Sequence, residues 1–245
     1  MIRHRFLADQ TAACFFNLFA GYNTRSGFVF MHKYIQTRSQ PAQTFLGRNE
    51  RVYRITKIIA KCYLAPFFRV VVSGLENLPA ETAFILLPKH QRWEDIPLLA
   101  LATPRRLYYV AKHELFRNPL GSWFVTSLGG IPLNRKRPLE SRRFLTATID
   151  FLEKGEGVVV FPEGTYYNNV MGPGQAGMIR FILTRLSLSF IPVGISYTRQ
   201  NGRFLVRINY GRKFHAAAGV SVQTFIDDMM NEIADLSGLP SSIKL

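Results

Sequence analysis

Residues 83–96 read AFILLPKHQRWEDI, and this stretch constrains the chain more than any other. Ala83 to Leu87 is β-prone and apolar at every position, which suits a short buried strand. Pro88 has no N–H to give a central ladder, so the strand is expected to stop there and release His90 at its carboxyl end. Loops at that end carry the chemistry of open α/β sheets.

The rest of the chain alternates in the same manner. Strands are expected at Phe68 to Ser73, Arg106 to Ala111, Ile131 to Leu133, Val158 to Phe161 and Phe190 to Tyr197, with Phe204 to Tyr210 as an edge strand. Helical spacing appears at Ile96 to Ala102, Pro119 to Gly129, Pro138 to Lys154, Met178 to Leu188 and Val222 to Ile233. The expected fold is therefore α/β, a mixed central sheet flanked by helices. Two segments are expected: residues 1–66, helical and in contact with a membrane, and residues 67–245, the sheet domain.

His90 and Asp95 are five apart. On one helix that spacing separates them by about 140°, so they can meet only if His90 lies in a turn and Asp95 opens the next helix. Pro97, in the first turn of such a helix, agrees. A carboxylate on one imidazole nitrogen sets the tautomer and leaves the other nitrogen to take a proton from a hydroxyl. By itself an Asp five residues after a His is a common accident.

The formal charge of +15 calls for an anionic partner, nucleic acid or an acidic membrane surface. Basic residues are scattered and no nucleic-acid-binding module is legible, which counts against the rival reading of a non-catalytic nucleic-acid binder without removing it. Arg51, Arg54, Lys57 and Lys61 form a cationic stripe, opposed by Val52, Ile55, Ile58, Ile59, Cys62 and Tyr63, on a helix ended near Pro66. That pattern suits a helix lying on anionic lipid, and equally a solvated surface helix. No run of 18 apolar residues occurs, so contact from one face of a membrane is expected. Cys14 and Cys62 form neither a disulfide framework nor a metal spacing, so no metal is expected.

Other polar groups follow expected strands. Lys112 trails one as a candidate cationic contact, and Arg135 lies in Asn134-Arg135-Lys136-Arg137. A phosphate monoester favours the planar, permanently charged guanidinium, although a solvated basic turn would read the same. Glu163, Gly164 and Thr165 follow the apolar run Val158 to Phe161, a position for holding a hydroxyl-bearing substrate. Gly172 to Gly177 satisfies GxGxxG, but it stands about ten residues past its strand with no acidic residue placed for a ribose, which disfavours a dinucleotide site.

Four blocks in order, HQRWED (90–95), GGIPLNR (129–135), VVVFPEGT (158–165) and FIPVG (190–194), resemble those of the glycerolipid acyltransferase family, which includes the bacterial 1-acylglycerol-3-phosphate acyltransferases. The resemblance runs from about Val72 to Arg212. It implies a glycerol-3-phosphate-acyltransferase-like fold and an O-acyltransferase acting on a lysophospholipid, with His90 and Asp95 catalytic, Arg135 on the acceptor's phosphate and Glu163 and Gly164 on its glycerol. Lys112 and Thr165 join the expected acceptor contacts from their own places after strands. It further implies acyl-CoA or acyl carrier protein thioester as co-substrate with no bound cofactor. The two unpaired cysteines suit a reducing setting, so the expected one-sided membrane contact is a peripheral one at the cytoplasmic face. Two departures bear on the acceptor: Tyr166 and Tyr167, and Gln175, stand where many relatives carry basic residues. Another lysolipid or a glycerol-phosphate acceptor is the alternative.

Overall fold

The computed structural model describes residues 47–134, 142–216 and 219–240. The chain divides into two units, Met1–Thr44 and Phe45–Leu245. The first falls outside the described residues, as do residues 1–46 of the segment expected to be helical over 1–66, residue Arg135 and the start of the helix expected from Pro138.

The second unit carries, in order, α1 (Glu50–Leu64), β1 (Phe68–Ser73), β2 (Phe84–Pro88), α2 (Asp95–Ala102), β3 (Leu107–Lys112), α3 (Pro119–Ser127), β4 (Gly130–Leu133), α4 (Arg142–Glu153), β5 (Gly157–Val159), α5 (Ala176–Leu183), β6 (Ser189–Gln200), β7 (Arg203–Tyr210) and α6 (Val222–Ser237). The strands form a single sheet in the order β1-β7-β6-β2-β5-β3-β4. Every neighbouring pair is parallel except β6 with β7. The carboxyl ends of β2, β3, β4 and β5 therefore share one edge.

Both faces of the sheet are covered, and alternation along β2 divides them. Ile85 and Leu87 join Val158, Val160 and Phe190 beneath α4, α5 and α6. Phe84 and Leu86 join Val159, Phe161, Ile191 and Val193 beneath α1 and α2. A strand with apolar partners above and below has no polar alternation, which is why the run at 84–87 is continuous.

Two expectations need correction. Pro88 belongs to β2, where it pairs with Val193. The N–H of Lys89 donates to Val193 on the β6 side, so the N–H that Pro88 lacks would point the other way. On that side β5 pairs with β2 only as far as Leu86 opposite Val159, and a donor is not needed there. The segment Arg203–Tyr210 is not an edge strand either: β1 pairs with it from Phe204, opposite Phe68, to Asn209, opposite Ser73. Its alternation reflects a position near the sheet margin, where β1 itself is largely exposed.

The helix α1 also departs from simple sidedness. It turns Tyr53, Ala60 and Leu64 inward and leaves Ile55, Ile58, Ile59 and Tyr63 exposed. Asn49 caps it by accepting from the amides of Arg51 and Val52.

Helix α6 crosses β6 at Gly194, where backbone meets backbone. A Cβ built on Gly194 would fall inside the carbonyl group of Leu236. Gly194→Ala should thus force α6 off the sheet and lower stability by about 3 kcal/mol, as overpacking of rigid neighbours does. Urea unfolding of the two proteins measures the loss.

Candidate active site

Beyond the carboxyl end of β2 the chain turns through 89–94 and re-enters helix at Asp95. The turn allows what a continuous helix forbids: His90 Nδ1 lies 3.1 Å from Asp95 Oδ2. The same oxygen accepts the amides of Gln91, at 2.6 Å, and Arg92, at 2.8 Å. The other, Oδ1, accepts the hydroxyl of Tyr197 on β6 at 2.5 Å. Asp95 is fully buried, so each of these bonds replaces water that a carboxylate cannot do without. At the first position of α2 the charge also meets the positive end of the helix dipole.

With Nδ1 facing Asp95, His90 presents Nε2 outward, and no hydrogen bond to Nε2 occurs among the described residues. The ring lies flat on Phe161, centroids 3.8 Å apart, and meets Tyr166 edge-on at 4.4 Å. Only 8% of His90 is exposed. An imidazole that is oriented, mostly desolvated and open at one nitrogen is placed to take a proton from a bound hydroxyl.

A second buried charge lies beneath the dyad. Lys89 Nζ meets Glu163 Oε1 at 2.7 Å and Oε2 at 2.8 Å, and donates to the carbonyl of Tyr167 at 2.8 Å. Glu163 Oε2 also accepts the amide of His90, and Oε1 that of Gly172. Three loop segments are thereby tied at one carboxylate. Burial pushes the Lys89 ammonium below the ordinary lysine range, and the bond and charge of Glu163 oppose that shift. Gln91 adds a further tie, donating to the carbonyl of Ile195 and accepting the amide of Asn169.

The expected site residues are thus distributed unevenly. His90, Asp95 and Glu163 come together, but the Glu163 side chain is wholly buried, with both oxygens engaged inside the protein. Gly164 follows it at a left-handed φ of 71°, and Thr165 is exposed beside it. Lys112, exposed, ends β3 at the same sheet edge. Arg135, two positions after the last residue of β4, lies outside the described residues. The amides of His90, Gln91, Arg92 and Gly164, natural candidates for holding an oxyanion, all donate within the loops.

Sequence reasoning missed Lys89, Gln91 and Tyr197. Tyr197 continues the period-two set Val193, Ile195 that faces the α1 and α2 side, a signal for burial but not for the partner across 102 positions. Lys89 offered the plainer hint, a lysine between a buried strand and a candidate base.

The Acyltransferase family model matches residues 69–196. The chain is 33% identical over 112 residues to a chloroplastic 1-acyl-sn-glycerol-3-phosphate acyltransferase of Arabidopsis thaliana, covering 45% of this chain and 31% of that protein. It is 35% identical over 97 residues to the 1-acyl-sn-glycerol-3-phosphate acyltransferase of Bacillus subtilis, covering 39% and 48%. A lyso-ornithine lipid O-acyltransferase of Pseudomonas aeruginosa is 29% identical over 141 residues, covering 58% and 52%. The matched stretches span about a third to a half of these relatives. Among solved structures, the 1-acyl-sn-glycerophosphate (LPA) acyltransferase PlsC of Thermotoga maritima shares the fold, with a TM-score of 0.59 at 21% identity over 89% of this chain and 90% of that one.

The buried pair yields a test of what holds the loops. Glu163→Ala strands Lys89 as an uncompensated buried cation and should cost about 3–5 kcal/mol. Lys89→Met combined with Glu163→Leu should recover most of that stability. Denaturant titrations of the single and double variants compare the two.

Proposed function

We propose, for a chain that belongs to the Acyltransferase family, an O-acyltransferase that esterifies the free hydroxyl of a lysophospholipid from an acyl thioester, with 1-acyl-sn-glycerol 3-phosphate the favoured acceptor. The observation that carries this reading is the His90–Asp95 pair, at 3.1 Å, with the far imidazole nitrogen unengaged by any described residue. His90 Nε2 takes the acceptor's hydroxyl proton as its oxygen bonds to the thioester carbonyl carbon. Asp95 stabilises the imidazolium that results. When the tetrahedral adduct collapses, the C–S bond breaks and the proton passes from His90 to the departing sulfur. The chain has no GxSxG nucleophile elbow, in keeping with direct transfer to the acceptor.

Acceptor binding falls in this reading to the strand ends beside the dyad. Neighbouring strands lie about 4.8 Å apart, so Lys112, at the end of the second strand from β2, stands roughly 10 Å across the edge. Arg135 follows the next strand and supplies the bidentate donor for a phosphate. Gly164 and Thr165 border the acceptor's glycerol, and Glu163 acts on it indirectly by holding the loops. The donor is acyl-CoA or an acyl carrier protein thioester. An amino-lipid acceptor is the second reading, supported by Tyr166 and Gln175, which add no positive charge, and by the likeness to the lyso-ornithine lipid enzyme.

No described helix is long and apolar enough to cross a membrane. The proposed contact with an anionic bilayer, at the cytoplasmic face, is α1. Ile55 and Ile58 are 58% and 65% exposed, Tyr63 and Phe67 continue the apolar surface, and Arg51, Arg54 and Lys61 lie exposed on the same helix. A helix with this mixture gains both apolar burial and charge attraction at a lipid surface.

Purified protein given labelled acyl-CoA and a panel of lysolipids should yield phosphatidic acid from 1-acylglycerol 3-phosphate. His90→Ala should abolish transfer without unfolding the protein, and Arg135→Ala should cost a phosphomonoester acceptor about 100-fold while sparing an amino-lipid one. Unchanged thioester turnover in His90→Ala defeats the assignment.

Co-sedimentation with vesicles tests the surface separately. Ile55→Glu with Ile58→Glu should release the protein from anionic vesicles at moderate salt. The unaltered protein should bind them and weaken as salt rises.

A further inference from the structure

We propose that Tyr197 is a positioning residue for the dyad, making the proton-transfer unit a chain of three groups, Tyr197 to Asp95 to His90. The proposal rests on the acyl-transfer reading and adds to it a residue one position beyond the stretch that the family model matches.

The geometry is specific. Tyr197 Oη donates to Asp95 Oδ1 at 2.5 Å, while His90 holds the opposite oxygen. The tyrosine is clamped in turn. Its ring meets Phe68 and Phe204 edge-on, at 6.4 Å in each case, and the Arg92 guanidinium lies 5.1 Å from its centroid. Phe68 comes from β1 and Phe204 from β7, so the three outermost strands on that side act on the dyad through a single hydroxyl.

The titratable and charged groups around the dyad come from four segments. Lys89 approaches from the end of β2, Arg92 and Glu94 from the turn and cap before α2, Glu163 and Tyr166 from the loop after β5, and Tyr197 from β6. Of these, Tyr197 is the side chain that bonds directly to the Asp95 carboxylate besides His90. Burial and the Asp95 charge hold its phenol well above the usual range, so it stays a neutral donor wherever the enzyme works. A donor on Oδ1 draws charge away from the carboxylate. Without it, Oδ1 loses its anchor, the imidazole is less firmly oriented for proton transfer, and the fuller carboxylate charge favours the imidazolium.

The test compares Tyr197→Phe with Tyr210→Phe, which removes another buried phenol bond, that to Thr103, remote from the dyad. In Tyr197→Phe, kcat should fall about tenfold with the acceptor KM little changed. The rising limb of its pH–rate profile should move alkaline. The NMR titration curve of the His90 ring should move with it. Tyr210→Phe should leave both curves where they stand in the unaltered protein. A limb and a His90 curve that coincide in all three proteins would overturn the proposal, whatever happens to thermal stability. Absence of acyl transfer in the unaltered protein would instead overturn the acyl-transfer reading, while the His90 curve still decides whether Tyr197 tunes the pair.

Discussion

A fully buried carboxylate, that of Asp95, organises the carboxyl edge of this sheet. Isolated in a low-dielectric interior, Asp95 would cost several kcal/mol or take up a proton. It stays tolerable because the turn before it folds back to offer two amides, the strand β6 offers a phenol, and the helix it begins offers its dipole. Those requirements determine the path of residues 89–94, and the path in turn sets the imidazole of His90 against the charge. The orientation of the imidazole is thus a consequence of satisfying the carboxylate.

Glu163 repeats the device one strand away. Its carboxylate gathers Lys89, the amide of His90 and the amide of Gly172, so the loops after β2 and β5 are joined by charge-assisted bonds rather than by apolar packing. Two buried carboxylates hold the same short turn, Glu163 at the amide of His90 and Asp95 at those of Gln91 and Arg92. A turn so constrained loses little further freedom when a substrate arrives, which is the structural form of preorganisation. The aromatic faces of Phe161 and Tyr166 complete the setting by limiting water at the ring of His90.

The outer part of the molecule is built differently. Helix α1 buries little more than Tyr53, Ala60 and Leu64 and leaves isoleucines exposed, the surface proposed above for contact with lipid. It runs directly into β1, whose Phe68 packs on Tyr197. The proposed lipid surface and the support of the dyad are therefore consecutive in the chain.

By itself the sequence determined what depends on neighbours and period: the buried run before Pro88, the alternation of strands and helices, the turn that His90 and Asp95 need in order to meet, and the final helix from Val222. Local propensity and side-chain spacing act over a few residues, so these were legible without a fold. Tertiary structure alone decided that β7 is covered by β1, that Pro88 can sit in a strand whose neighbour has already ended, and that Glu163 turns inward to Lys89 instead of outward. It also brought Tyr197 to Asp95 across 102 positions. Hydrogen bonds between distant segments follow from sheet order and burial, and neither is encoded in the spacing of residues along one strand or one turn.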